Sequence, residues 1–473
     1  MYSSRAARDM DLLHGPIFPK ILSFVLPLML TNLLQSLYNA ADMIIVGLSN
    51  VSGAIGAIGT TGAMINIIIN LFAGFAVGSS VMVARSIGQG DPERTSLAVH
   101  TAMVVGIVTG LATMVLGLLI SRPILIALGD EGHILELADL YTRIYFLGVP
   151  FTAVTNFLIS IFRAKGDTKT PLWVLSATGI LNVVLNLLFV LGFGMSVDGV
   201  SLATVISNAV SMVVLWIILA RDKGWCRLEF RKLGIDRYSL KEIVYNGLPA
   251  GLQGAIFSFS NMLIQGTIIS INNRLFPGGS EIIDGNAAGA NIEGFAYVAM
   301  NSVTQATVTF VSQHYGARST KRMGRVIWNC YLASFIISEA VSLLLLLLRP
   351  VIIPLYVSAP AAVDAASVRL EIMFLAYFTL GFMEVGSGVV RGMNRSILST
   401  LVSLIGSCVL RIIWIYTVVK ANQTLEMVYI AYPISWTLTA AVHFLVGMSL
   451  RKKFKQKYQD QDPEILQPEP RLS

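Results

Sequence analysis

An all-α membrane protein of twelve transmembrane helices, set as two six-helix lobes related by a pseudo-twofold axis, is the fold class this sequence predicts. Three observations predict it. The chain has 473 residues, 55% hydrophobic and 13% charged, with a mean hydropathy of +0.70, outside the range of soluble globular chains. Apolar runs of about 20 residues, long enough to cross roughly 30 Å of hydrocarbon as helix, recur from Ile17 almost to the end. With both termini on the cytoplasmic side, 27 of the 34 Lys and Arg fall on that side, as the positive-inside rule requires. One missed or extra span would invert every later loop, so the asymmetry supports the count.

The spans in order are 17–46, 53–84, 97–120, 135–162, 171–192 and 198–220, then 241–272, 285–315, 324–348, 366–391, 397–419 and 425–450, separated by polar or basic breaks. The segment 1–16 mixes acids with its bases and has no small-residue cleavage site, so it reads as a cytoplasmic segment and not as a removable signal peptide. The N-lobe is expected over 17–220 and the C-lobe over 241–450, with a cytoplasmic linker at 221–240 and a cytoplasmic tail at 451–473. Five bases lie in outer loops, Arg369 among them, and Arg143 and Arg411 fall inside spans. Cys226, Cys330 and Cys408 have no metal or redox spacing, and no basic-aromatic pattern supports a nucleic-acid partner.

The two halves match internally. "VARSIGQGDPER" (from Val83) superposes on "VSQHYGARSTKR" (from Val311) at an offset of 228, and Arg163 falls on Arg391 at the same offset. Pro27 and Asn39 pair with Pro249 and Asn261 at an offset of 222. Six-helix repeats in the same order are the parallel repeats of alternating-access transporters.

A charge at bilayer depth costs at least about 2.5–3.5 kcal/mol, so an intramembrane acid suggests function. Asp42 lies 22 residues after Lys20, roughly 33 Å along a helix. Thr31, Gln35, Tyr38 and Asn39 share its face, a polar stripe suited to a water-filled substrate cavity. The bland alternatives are a place for Asp42 near the interface or its pairing with an arginine such as Arg143. Asn182 and Asn186 at i, i+4 and Thr204 supply neutral oxygens, the company a carboxylate needs to hold Na⁺ or a proton through water; on spacing alone the asparagines serve equally as inter-helix hydrogen-bond donors. Glu384 sits beside Gly386 and Gly388, with Arg391 too far along the helix for direct pairing to be expected. Glu293 is followed by Phe295 and Tyr297, a mixture fit for cationic amphiphiles. Glu339 has no polar company and reads as a packed acid.

"LPLMLTNLLQSLYNAADMIIVG", "ARSIGQGD", "IFRAKGDTKTP", "NVVLNLLFVLGFGMSVDGVSLATVIS", "AAGANIEGFAYVAMNSVTQATVTFVSQHYGA" and "GSGVVRGMNRS" together resemble the multidrug and toxic compound extrusion (MATE) family over about residues 15–450. The resemblance implies a V-shaped pair of lobes that exports organic cations and amphiphilic drugs in exchange for entering Na⁺ or H⁺. It implies an N-lobe cation site, for Na⁺ or a proton, at Asp42, Asn182, Asn186 and Thr204, with Asn186 standing where the family can have Asp. It also implies a C-lobe acid at Glu384, with Glu293 substituting for a seventh-helix acid that is missing here. A monomer in a bacterial inner membrane is expected, with no cofactor beyond the coupling ion and no enzymatic activity: there is no His/Cys set, HExxH or GxSG context. The alternative is a flippase for lipid-linked oligosaccharides or peptidoglycan precursors, which needs several intramembrane cations to hold a diphosphate.

Overall fold

The computed structural model describes residues 9–47, 51, 54–127 and 132–459, and its regular elements there are all helical. The first six rods are α1 (Ile17–Gly47), α2 (Ala54–Gly88), α3 (Pro92–Ala127), α4 (Gly132–Ala164), α5 (Lys169–Leu187, closed by a π turn Leu188–Gly192) and α6 (Val197–Ala220). Then follow α7 (Arg237–Leu275), α8 (Glu281–Gly316), α9 (Thr320–Ile352), α10 (Pro360–Phe374) and α11 (Tyr377–Gly392). The chain continues through α12 (Ser396–Ser403), the π segment Leu404–Val409, α13 (Leu410–Trp414), a second π segment Ile415–Val419, and α14 (Leu425–Tyr458). Among the described residues, ten helices are long and apolar enough to cross a membrane, and α10 with α11, bent by 53° at their junction, makes eleven if the pair is one span. The remaining rod, α8, has 36 residues. It is long enough, but its asparagines, acids and glycines lower its hydropathy.

The internal repeat is written into the backbone. α2 and α8 end at Gly88 and Gly316, α3 and α9 begin at Pro92 and Thr320, and α6 and α14 begin at Val197 and Leu425, each pair at the offset of 228. Left-handed turn residues recur at that spacing too: Gly90 (φ 70°) with Arg318 (φ 54°), and Gly166 (φ 96°) with Asn394 (φ 63°). At the second member of each pair an L-residue accepts a conformation that glycine adopts freely. The π turns Leu188–Gly192 and Ile415–Val419 also correspond, at an offset of 227. Leu404–Val409 has no π counterpart in the first half.

The described chain packs as two compact units, one comprising Met1–Leu13 with Leu26–Ala255 and the other His14–Val25 with Ile256–Ser473. The chain therefore passes between units within α1, next to Pro27, and within α7. In the first unit a buried core of Met103, Phe157, Leu158, Phe162 and Leu215 joins the helices. Residues 221–236 are packed onto this unit: Cys226 and Leu228 enter the core, the Glu229 amide donates to His100 Nε2 at 3.0 Å, and the Asp236 amide donates to Thr101 Oγ1 at 3.0 Å. α2 meets the start of α7 backbone to backbone. A Cβ on Gly74 would lie 2.2 Å from the Gly251 nitrogen, and one on Gly78 would lie 2.2 Å from the Ile243 carbonyl. Gly74/Gly78 and Gly247/Gly251 are small residues spaced four apart, the pattern that lets membrane helices approach this closely.

In the first unit, Lys165 is bracketed by Asp9 at 3.1 Å and Asp222 at 2.7 Å. Burial pushes the Asp9 carboxyl above its ordinary range despite Lys165. Burial opposes the Lys165 charge, but the two acids outweigh it and hold that ammonium above its ordinary range. Burial raises the neighbouring Cys226 thiol to about 12. In the second unit the core runs through Ile264, Met300, Leu370, Phe374, Tyr377, Tyr429 and Trp436.

Candidate functional site

Three helices of the first unit carry polar side chains to one point. α1 brings Asp42, α5 brings Asn182 and Asn186 on one face because they are four residues apart, and α6 brings Thr204. Asn186 Nδ2 donates to Asp42 Oδ1 at 2.5 Å and lies 3.2 Å from Asn182 Oδ1. Asn182 Nδ2 donates to Thr204 Oγ1 at 3.3 Å. The Thr204 hydroxyl lies 3.4 Å from Asp42 Oδ2 and 3.0 Å from the Val200 carbonyl, so its single proton serves one acceptor at a time. Asn186 Oδ1 is buried with no donor. An acceptor left bare beside a carboxylate is the donor set of a cation or of a proton bridged through water.

The surroundings are apolar. Ile45, Val46, Val190, Val197 and Val200 form a buried cluster around the same stretches of helix. Tyr141, stacked on Tyr145 at 6.1 Å, is within electrostatic reach of Asp42. Neither tyrosine is marked by hydropathy as part of the site. Among the described residues there is no group of three or more His, Cys, Asp or Glu that could hold a metal ion; the site is one carboxylate with neutral oxygens.

The Asp42–Arg143 alternative does not hold: Arg143 Nε pairs with Asp139 at 3.0 Å, and Arg122 takes the same carboxylate at 3.0 Å. Of the expected cavity stripe, Tyr38 donates to the Ser176 carbonyl at 3.2 Å and its ring fills the space a Cβ on Gly179 would need. Gln35 and Asn39 are exposed and do not join the Asp42 hydrogen-bond set.

In the second unit, Glu293 is half-buried and accepts from Arg369 Nη2 at 2.6 Å. Arg369 Nη1 donates to Asn286 Oδ1 at 2.6 Å, which also accepts from Tyr429 at 3.1 Å. Arg369, expected in an outer loop, is instead 8% exposed within α10, because Glu293, Asn286 and the Tyr429 ring (5.6 Å) replace the water it would lose. Nothing in the local sequence near Arg369 announces this; its position, 228 after Tyr141, is the one available signal. Glu384 is within electrostatic reach of Tyr297 and Arg391, and Tyr377 is within reach of both Glu384 and Glu293. Tyr297 is 43% exposed and Phe295 is half-buried. Expected site residues thus form one assembled cluster around Asp42 and one ion pair at Glu293, with Glu384 outside that pair.

The chain has relatives among known proteins. The MatE family model matches residues 27–188 and 249–417, one stretch in each half. "Probable multidrug resistance protein YoeA" of Bacillus subtilis is 26% identical over 392 residues, covering 80% of this chain and 82% of its own. "Probable multidrug resistance protein NorM" of Thermotoga maritima is 24% identical over 411 residues, covering 85% of this chain and 86% of its own. Among solved structures, the outward-facing conformation of a multidrug resistance MATE family transporter of the MOP superfamily superposes with a TM-score of 0.87. It is 23% identical and covers 96% of this chain and 100% of that one. A MOP superfamily transporter from Pyrococcus furiosus superposes equally well, at 0.87 and 24% identity, over 96% of this chain and 100% of that one. The structural likeness is one of fold.

Proposed function

This chain belongs to the MatE family, a multi-pass membrane family of transporters, and from that premise we propose that it is a secondary active exporter of cationic and amphiphilic drugs driven by entering Na⁺ or H⁺. The observation that carries the coupling reading is the Asp42 cluster: one carboxylate, a bare buried amide oxygen on Asn186, and the oxygens of Asn182 and Thr204, closed off by apolar side chains. The names of the relatives support the drug-export reading. A cation or proton entering this pocket neutralises Asp42 and relaxes the pull on the Asn186 and Thr204 donors. Its departure restores them, so α1, α5 and α6 favour different arrangements in the loaded and unloaded states. Glu293 and Glu384 in the second unit are further coupling acids in this reading. The protein works as a monomer in the inner membrane with both termini cytoplasmic.

Ethidium efflux from vesicles under imposed Na⁺ or H⁺ gradients tests this. Asp42→Asn is expected to lose gradient-driven transport, whereas Glu293→Gln and Glu384→Gln report the share carried by the second unit. Undiminished gradient-driven transport in Asp42→Asn defeats the coupling claim. The flippase reading gains one intramembrane arginine from the structure, Arg369, but Glu293 neutralises it, leaving too little positive charge for a diphosphate. Binding of a lipid diphosphate, with no organic cation transported, would reverse that ranking.

A further inference from the structure

The second unit holds more buried positive charge than buried negative charge in one connected cluster. Glu293 is committed to Arg369. The other arginine, Arg411, is 8% exposed; its Nε donates to Ser435 Oγ at 2.8 Å, and its guanidinium lies 4.2 Å from the Tyr432 ring centroid and 5.9 Å from that of Trp436. Among the described residues no carboxylate lies within ion-pairing distance of it. Tyr432 joins the two cations, since the Arg369 guanidinium stands 6.0 Å from the centroid of the same ring. The cluster also contains donors without acceptors: Arg369 Nε and Tyr377 OH are buried with no partner, and Tyr377 packs on Trp436 at 5.9 Å. Buried donors left unmatched are costly, and a net charge at bilayer depth calls for a counter-charge.

Two independent features single out this place. The first is the repeat. At the offset of 228, Tyr432 and Ser435 correspond to Thr204 and Ser207, Arg369 to Tyr141, and Arg411 to Val183, while Asp42 corresponds at 222 to Ile264. Where the first unit sets an acid among neutral oxygens, the second sets arginines among neutral donors, and each charged residue corresponds to a neutral one in the other repeat. The second is the helix itself. Arg411 sits in five α-helical residues between the π segments Leu404–Val409 and Ile415–Val419, the former without a π counterpart in the first unit; π segments inside helices are frequent at functional sites.

We infer that the second unit contains a binding site for one monovalent anion at Arg411, walled by Tyr432, Trp436 and Tyr377 and backed by Arg369. The planar guanidinium edge suits a carboxylate, and the aromatic walls suit a ring attached to it. The surplus of a single charge selects a monoanion. That ligand is the carboxylate of an aromatic amphiphile or a halide from solution. The site stands independently of the export reading; its use for a substrate's carboxylate rests on that reading.

The test is thermal unfolding of the purified full chain in detergent at constant ionic strength, in sodium methanesulfonate, with added benzoate, its neutral isostere benzamide, or chloride. Benzoate is expected to raise the Tm of the wild type and benzamide to leave it unchanged, with Arg411→Gln weakening benzoate binding at least about tenfold. A chloride rise that saturates and competes with benzoate assigns the site to halide as well; a rise with benzoate alone assigns it to substrate carboxylate. No rise with either anion in the wild type, an undiminished rise in Arg411→Gln, or equal effects of benzamide and benzoate overturns the site. If Arg411→Gln does not fold, Arg411→Lys carries the test: it keeps the charge and loses the planar fork, and unchanged benzoate affinity in it overturns the bidentate assignment. The measurement needs no ion gradient, so its failure and the failure of coupled export are separate results.

Discussion

Asn186 turns its amide nitrogen to Asp42, 2.5 Å away, and leaves its own carbonyl oxygen buried without a donor. One side chain therefore both holds the carboxylate in place and offers a second oxygen beside it. Asn186→Ala removes both contributions and is expected to raise the coupling-ion concentration for half-maximal ethidium efflux about tenfold or more. Asn186→Asp sets two carboxylates at hydrogen-bond distance, which share one proton, so the pH dependence of transport is expected to move to higher pH. A pH profile of efflux unchanged in Asn186→Asp would count against this geometry.

The Glu293–Arg369 pair is mutually dependent. Removing one partner of a buried ion pair leaves an uncompensated charge, at a cost of about 3–5 kcal/mol. Arg369→Gln is expected to lower thermal stability in detergent by that order, and Arg369→Gln with Glu293→Gln to recover most of it. A double-mutant cycle with no coupling between the two substitutions would show that they act separately.

Close backbone approach between α2 and α7 sets opposite expectations for two glycines of one helix. At Gly78 an added Cβ meets the Ile243 carbonyl at 2.2 Å, and Gly78→Ala is expected to destabilise by about 1–3 kcal/mol, as overpacking does. At Gly62 nothing lies within 4 Å, so Gly62→Ala is expected to stabilise by roughly 0.5–1 kcal/mol through helix propensity. Fluorescence-monitored melting of both variants decides whether the contact or the residue type governs.

Asp236 caps α7, accepting from the Ser239 amide at 2.7 Å, and that bond is the main cause holding its carboxyl below the ordinary range. A depressed folded-state value contributes stability that is present above the unfolded value near 3.8 and is lost as pH falls through the folded value. Asp236→Ala is expected to cost about 1 kcal/mol at neutral pH and progressively less below pH 4. An equal deficit at pH 7 and pH 3 would remove the cap as its cause.

Hydropathy and charge asymmetry are local, additive properties, so the sequence by itself determined the order of the spans, the internal repeat and the acid on α1. The left-handed turns at Arg318 and Asn394 repeat those at Gly90 and Gly166, because equal chain positions in a repeat meet equal steric demands. Only the tertiary structure decided the partners. Glu293 and Arg369 stand 76 residues apart, and no local pattern tells an arginine at a loop from one buried against a carboxylate. The same holds for the Asn186 amide, whose two ends look alike in the sequence and are told apart by the carboxylate they face. Nor does composition show which half of α1 and of α7 packs with which unit, because that rests on which surfaces each half of a helix can bury.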